Sequence, residues 1–155
     1  MLTRRSFIAI CAFAGAGLIH PLHAETLPAI KVHKDPSCGC CGAWVDHLRA
    51  AGFTVAVDES SDLPALKQQL GVPAHLSSCH TAEIAGYVVE GHVPAAAISR
   101  LLKEKPVGRG LAVPGMPIGS PGMEVEGADP EAYDVVLFGA QAESVFARFR
   151  GTTRI

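Results

Sequence analysis

The chain has 155 residues, 48% of them hydrophobic, with 13 Lys and Arg against 15 Asp and Glu and a formal net charge of −2. That balance offers no basic footprint for nucleic acid, and the length suits one domain with a modest core. Past residue 24 no apolar run is long enough to cross a bilayer, so no membrane partner is expected for the remainder of the chain.

In chain order, Thr3-Arg4-Arg5-Ser6-Phe7 leads into an apolar run from Ile8 to Ile19, too short and wrongly flanked for a membrane span. Leu22-His23-Ala24 then ends on a small residue, as a cleavage site does. Residues 1–24 therefore read as an export signal and residues 25–155 as a single mature domain. The paired arginines before Phe7 resemble a twin-arginine signal, whose route carries folded and often cofactor-loaded proteins. An ordinary secretory signal would lead to the same compartment, a bacterial periplasm. Cys11 would leave with the leader, and the apolar run that continues past it argues against lipidation. The leader holds two of the basic residues and none of the acidic ones, so the mature chain keeps 11 against 15, a net charge of −4.

Ile30-Lys31-Val32-His33 alternates apolar and polar residues at the period of a strand, and Asp35-Pro36-Ser37 breaks it. Trp44, Val45 and Leu48 fall at helical spacing between Cys41 and Ala51, with Gly52 as the stop. Phe53 to Val57 reads as a second strand and Leu63 to Leu70, closed by Gly71 and Pro73, as a second short helix. Ala82 to Ile84 and Tyr87 to Val89 around Gly86 form a hairpin. Pro94 then opens a helix with Ala97, Ile98, Leu101 and Leu102 on its buried stripe. Strand, helix, strand, helix, hairpin, helix is the order of an α/β, thioredoxin-like domain, whose chemistry sits in the turn after the first strand. From Pro106 to Pro130 the chain is rich in Pro and Gly without either period, and is expected to fold back over the domain as a loop. Within it Pro114-Gly115-Met116 recurs as Pro121-Gly122-Met123. Asp134 to Phe138 offers one more strand and Ser144 to Phe149 a short amphipathic tail.

The turn after the first strand is Cys38-Gly39-Cys40-Cys41, and Cys79 completes the four cysteines of the mature chain. Two structural disulfides fit poorly, because stabilising bridges usually close long loops and three of these thiols crowd into one turn. A Cys38–Cys41 bridge would close almost nothing. The C-x-x-C spacing of Cys38 and Cys41 at a helix start lowers a thiol's pKa and suits disulfide exchange. Against a dedicated redox enzyme stands Cys40, a third thiol that would compete in every mixed disulfide. For a metal the third thiol is useful: Cys38, Cys40 and Cys41 can aim sulfurs at one centre, and Cys79, just before the predicted third strand, can supply a fourth. Soft thiolates and thioethers favour Cu(I). Met116 and Met123 supply the thioethers, although a methionine more often fills an apolar gap. His80, beside Cys79, ranks above His33, His47, His75 and His92, which read more simply as surface or hydrogen-bonded residues. Four thiolates can also hold a structural zinc, but zinc usually takes them as two separated C-x-x-C pairs.

Four segments together carry a family resemblance: Asp35-Pro36-Ser37-Cys38-Gly39-Cys40-Cys41, Ser78-Cys79-His80-Thr81, Gly86-Tyr87-Val88-Val89-Glu90-Gly91-His92-Val93-Pro94, and the stretch from Gly110 through Met123 to Glu124. They resemble a bacterial family of periplasmic metal-binding domains of unknown function that includes the CopG proteins of copper-resistance operons, not the ribbon-helix-helix repressors of that name. The match covers most of residues 28–140. It implies a thioredoxin-like fold, thiolate binding of Cu(I) with a small cysteine-bridged cluster as one form, and a role in copper handling that can couple to thiol oxidation.

The expectation from sequence is a periplasmic Cu(I)-binding protein of copper resistance or homeostasis. Cys38, Cys40, Cys41 and Cys79 are its primary ligands, Met116, Met123 and His80 its additional ones, and the Gly/Pro loop its lid. Zinc is the alternative metal. The alternative function is a thiol-disulfide oxidoreductase or copper-linked redox protein using Cys38 and Cys41. Copper ions are the expected partners, along with other periplasmic copper-handling proteins.

Overall fold

A computed structural model describes residues 27–59, 62–139 and 142–155; the expected export signal lies outside them. The architecture is mixed α/β, with eight strands in one sheet of order β2-β1-β3-β4-β5-β6-β7-β8. The strands are β1 (Ile30–Lys34), β2 (Val55–Glu59), β3 (His80–Ile84), β4 (Tyr87–Glu90), β5 (Gly110–Ala112), β6 (Ala132–Phe138), β7 (Ser144–Arg150) and β8 (Thr153–Arg154). The helices are α1 (Gly39–Ala50), α2 (Leu63–Gln69) and α3 (Ala95–Glu104), with a 3₁₀ turn at Ala74–Leu76. Up to α3 the order is the one expected from sequence.

The helices divide the sheet into two buried faces. Trp44, Val45 and Leu48 of α1 and Ala97, Ile98 and Leu101 of α3 pack with Ile30, Val32, Ala82, Ile84 and Val89 on one face. Val72, Leu76, Val88, Ala112 and Phe138 form a smaller cluster on the other. Adjacent residues such as Val88 and Val89 thus serve opposite faces, as the strand period requires. On the second face lies a polar network: Lys67 of α2 is hydrogen-bonded to Thr81 Oγ1 at 2.7 Å and paired with the fully buried Glu90. Removing one partner would strand a charge and cost about 3–5 kcal/mol.

Two expectations are corrected downstream of α3. The stretch read as a loop contains β5, which pairs parallel with β4 and antiparallel with β6. Glycine is required there, since a Cβ on Gly110 would lie 1.8 Å from the Val88 carbonyl oxygen. The stretch read as an amphipathic tail is β7, where Ala147 and Phe149 alternate inward against Val135 and Tyr133 of β6. Over six residues a helical and a strand pattern are hard to separate, and pairing with β6 decides the outcome.

Strand direction places the chemistry. Because β3 runs antiparallel to β1, Lys34 at the end of β1 pairs with His80 at the start of β3. The turn leaving β1 and the segment entering β3 therefore meet at one end of the sheet.

Candidate metal centre

The turn out of β1 is shaped by Asp35, whose carboxylate accepts hydrogen bonds from the Ser37 N–H at 2.7 Å and from the Ser37 hydroxyl. These bonds hold its pKa below the ordinary carboxylate value. The Asp35 carbonyl accepts from Cys38 N–H at 3.1 Å, and Cys38 becomes the N-cap of α1, with no side-chain cap. Cys40 and Cys41 occupy the first turn, where unpaired N–H groups and the helix dipole favour negative charge and where no acidic side chain competes.

All four expected sulfurs converge. Those of Cys38, Cys40, Cys41 and Cys79 lie within 4.8 Å of one another. Cys41 is buried and the other three are half-buried. Cys40 Sγ stands 3.5 Å from Cys38 Sγ and 4.0 Å from Cys79 Sγ. Cys38 and Cys41, expected as metal ligands or else as a disulfide-exchange pair, are joined in a disulfide, leaving Cys40 and Cys79 as free thiols among the described residues. The reason is local. Cysteines three positions apart at a helix start share a face, and their Cα atoms are 5.4 Å apart, inside the disulfide range. With that bond closed the centre offers two thiols; opening it takes two electrons and two protons and restores four.

Cys79 is ringed by imidazoles. Its sulfur lies 3.1 Å from His92 Nε2 and 3.3 Å from His80 Nδ1. His92 Nδ1 donates to the Pro121 carbonyl at 2.8 Å, so in the neutral ring Nε2 is the bare nitrogen, facing the sulfur. Both rings are fully buried. Burial pushes the pKa of His80 well below the ordinary histidine value and that of His92 below it too, so both are neutral near pH 7. Burial and the neighbouring Cys40 push the Cys79 thiol up to about 11. His80 lies against Trp44, with ring centroids 4.3 Å apart, and Trp44 Nε1 donates to the Val93 carbonyl at 2.9 Å.

Sequence reasoning ranked His92 among the ordinary histidines, yet it makes the shortest contact to Cys79. Its signal lay in the Gly91-His92-Val93-Pro94 motif, but 13 residues of chain and a hairpin separate it from the sulfur. The other histidines among the described residues have other work. His33 faces Glu83 at 3.1 Å and Asp58 at 3.3 Å, His75 meets Glu143 at 2.9 Å, and His47 Nε2 accepts the Ala95 N–H that opens α3, at 3.1 Å.

The Gly/Pro loop does fold back as expected. Gly122 lies so close to α1 that a Cβ there would sit 2.6 Å from the Cys40 carbonyl oxygen. Met123, next to it, is half-buried; Met116 is 53% exposed, following Gly115, whose carbonyl accepts from Ser78 Oγ at 2.8 Å.

A family model described as "Protein of unknown function, DUF411" matches residues 76–123, a span that holds Cys79, His80, His92, Met116 and Met123. No curated protein matches the chain. Two solved structures do. "Copper resistance protein copG- Form 2" is 47% identical with a TM-score of 0.74, covering 79% of this chain and 98% of its own. "Copper resistance protein copG- Form 1" is 48% identical with a TM-score of 0.74, covering 81% of this chain and 99% of its own.

Proposed function

This chain belongs to the DUF411 family of the copper resistance proteins CopG, and on that premise we propose that it binds Cu(I) in the periplasm through Cys38, Cys40, Cys41 and Cys79 once the Cys38–Cys41 disulfide is reduced. The observation that carries this is the convergence of four sulfurs within 4.8 Å at the N-terminus of α1. Four thiolates are the soft donor set that selects Cu(I), and the helix end offsets part of their charge. So short a separation also lets one sulfur bridge two ions. The order and directions of β1 to β4 support a thioredoxin-like domain, and the leader-like first 24 residues support export. Met123 beside the cysteine turn and Met116 at the rim are the thioethers that would add to the site.

A second reading, a copper-linked thiol-disulfide oxidoreductase, is favoured by the Cys38–Cys41 disulfide itself. Cys40→Ser separates the two. A redox protein working through Cys38 and Cys41 keeps its exchange activity in that variant, while the copper site loses metal. In a Cys11→Ser background, anaerobic Cu(I) titration with elemental analysis of the reduced chain should show Cys40→Ser lowering bound copper or its affinity. Native stoichiometry and affinity in that variant would refute the four-thiolate site.

A further inference from the structure

Beside the sulfur cluster, three donor atoms of different chemistry converge: Cys79 Sγ, His80 Nδ1 and His92 Nε2, within 4.8 Å of one another. Cys38, Cys40 and Cys41 supply none of them, so the group survives while the Cys38–Cys41 disulfide is closed. We propose that in this oxidised state the protein binds one borderline divalent cation, of which Zn²⁺ is the type, through Cys79, His80 and His92. The inference does not depend on the Cu(I) reading, which concerns the reduced state.

Geometry supports a common centre. A tetrahedral zinc with ordinary Zn–S and Zn–N bonds has S···N edges of about 3.5 Å. The observed distances of 3.1 and 3.3 Å need to open by only a few tenths of an ångström. The ring of His92 is already set for the task, since its other nitrogen donates to the Pro121 carbonyl, the outer hydrogen bond that ligating imidazoles usually make. His80 Nε2 is the one buried side-chain nitrogen or oxygen among the described residues without a hydrogen-bond partner. Nδ1 of that ring faces the Cys79 sulfur, and with the hydrogen carried on Nε2 it presents its lone pair to an ion.

Chemistry separates this group from its neighbour. One thiolate and two neutral imidazoles form a harder donor set than four thiolates, suited to Zn²⁺ or Co²⁺. Three protein ligands leave a fourth position for water or another small ligand. Binding forms one M–S and two M–N bonds, breaks the Cys79 S–H bond and releases its proton to solvent. No electrons move. Since Cys79 belongs to both groups, reduction of the disulfide would shift the site from one divalent ion to Cu(I).

The test uses the disulfide form of a chain carrying Cys11→Ser and Cys40→Ser, which leaves Cys79 as its one reduced thiol, titrated anaerobically with Co²⁺. One Co²⁺ per chain with a thiolate-to-cobalt charge-transfer band is expected, bleached by Zn²⁺, and His92→Ala should weaken binding about tenfold or more. X-ray absorption of the zinc complex of the same protein requires no further variant and should count one sulfur and two imidazole nitrogens. No charge-transfer band at stoichiometric Co²⁺, a band indifferent to His92→Ala, or a zinc shell without imidazole would each overturn the proposal.

Discussion

Pro114-Gly115-Met116 and Pro121-Gly122-Met123 are the same three residues in opposite circumstances. Both glycines have positive φ, +72° and +85°. Around Gly115 a Cβ would meet nothing within 4 Å, whereas at Gly122 it would strike backbone atoms of Cys40 and Trp44 at 2.6 and 2.8 Å. Pro121 is buried and its carbonyl takes the His92 hydrogen bond, while Pro114 is exposed. The second copy is pressed onto the cysteine turn; the first is held at the rim through Ser78. Identical local sequence therefore gives one position packed on the cysteine turn and one exposed beside Ser78, because the neighbouring element decides the role.

The sharpest way to break this comparison is alanine at the two glycines. Gly122→Ala adds a clash with helix backbone to the strain of positive φ and should destabilise the fold by about 2–4 kcal/mol, measured by chemical denaturation. It should also weaken Cu(I) binding, because relief of the clash moves Cys40. His92→Ala comes next. It leaves the Pro121 carbonyl without its donor, at about 1–3 kcal/mol, and frees the second copy but not the first.

Acid tests the same side of the molecule. His80 and His92 have folded pKa values below the ordinary 6.5, so the unfolded chain takes up protons that the folded chain refuses. Their contribution is fully present above pH 6.5 and is lost as pH falls toward the folded values. His80, pushed down furthest by its burial, should account for the larger share of the stability lost on acidification. His92→Ala should show a shallower pH dependence than the parent chain. The smallest effect is expected at the rim: Gly115→Ala meets only the cost of positive φ, about 1 kcal/mol, with Cu(I) affinity unchanged. Equal effects of the two alanines would mean that the copies are equivalent after all.

The same contrast shows what the sequence made legible. The strand and helix periods from Ile30 to Leu102 were clearest where an element buries one face, as β1, α1 and α3 do, and the order of elements then put Cys79 near the cysteine turn. Gly110-Leu111-Ala112 was not legible as a strand, since three residues flanked by glycine and proline carry no period and their pairing with β4 and β6 is set by distant chain. Ser144 to Phe149 reads from sequence only as an amphipathic tail for a related reason: its strand alternation appears only once β6 supplies the inner face. At the centre, the four cysteines expected together bring their sulfurs within 4.8 Å of one another. The Cys38–Cys41 bond was legible only through the disulfide-exchange alternative, since it depends on redox state, and the approach of His92 was not legible, because it depends on how a hairpin turns in space.

The most direct measurement of the central claim is anaerobic competition for Cu(I) between a chromophoric chelator and this protein in a Cys11→Ser background, with the Cys38–Cys41 disulfide closed and then reduced. The account predicts that only the reduced form strips copper from the chelator, and that Cys38, Cys40, Cys41 and Cys79 all lose reactivity toward thiol reagents as it does. A reduced form that cannot compete, or a disulfide form that competes equally well, would contradict it.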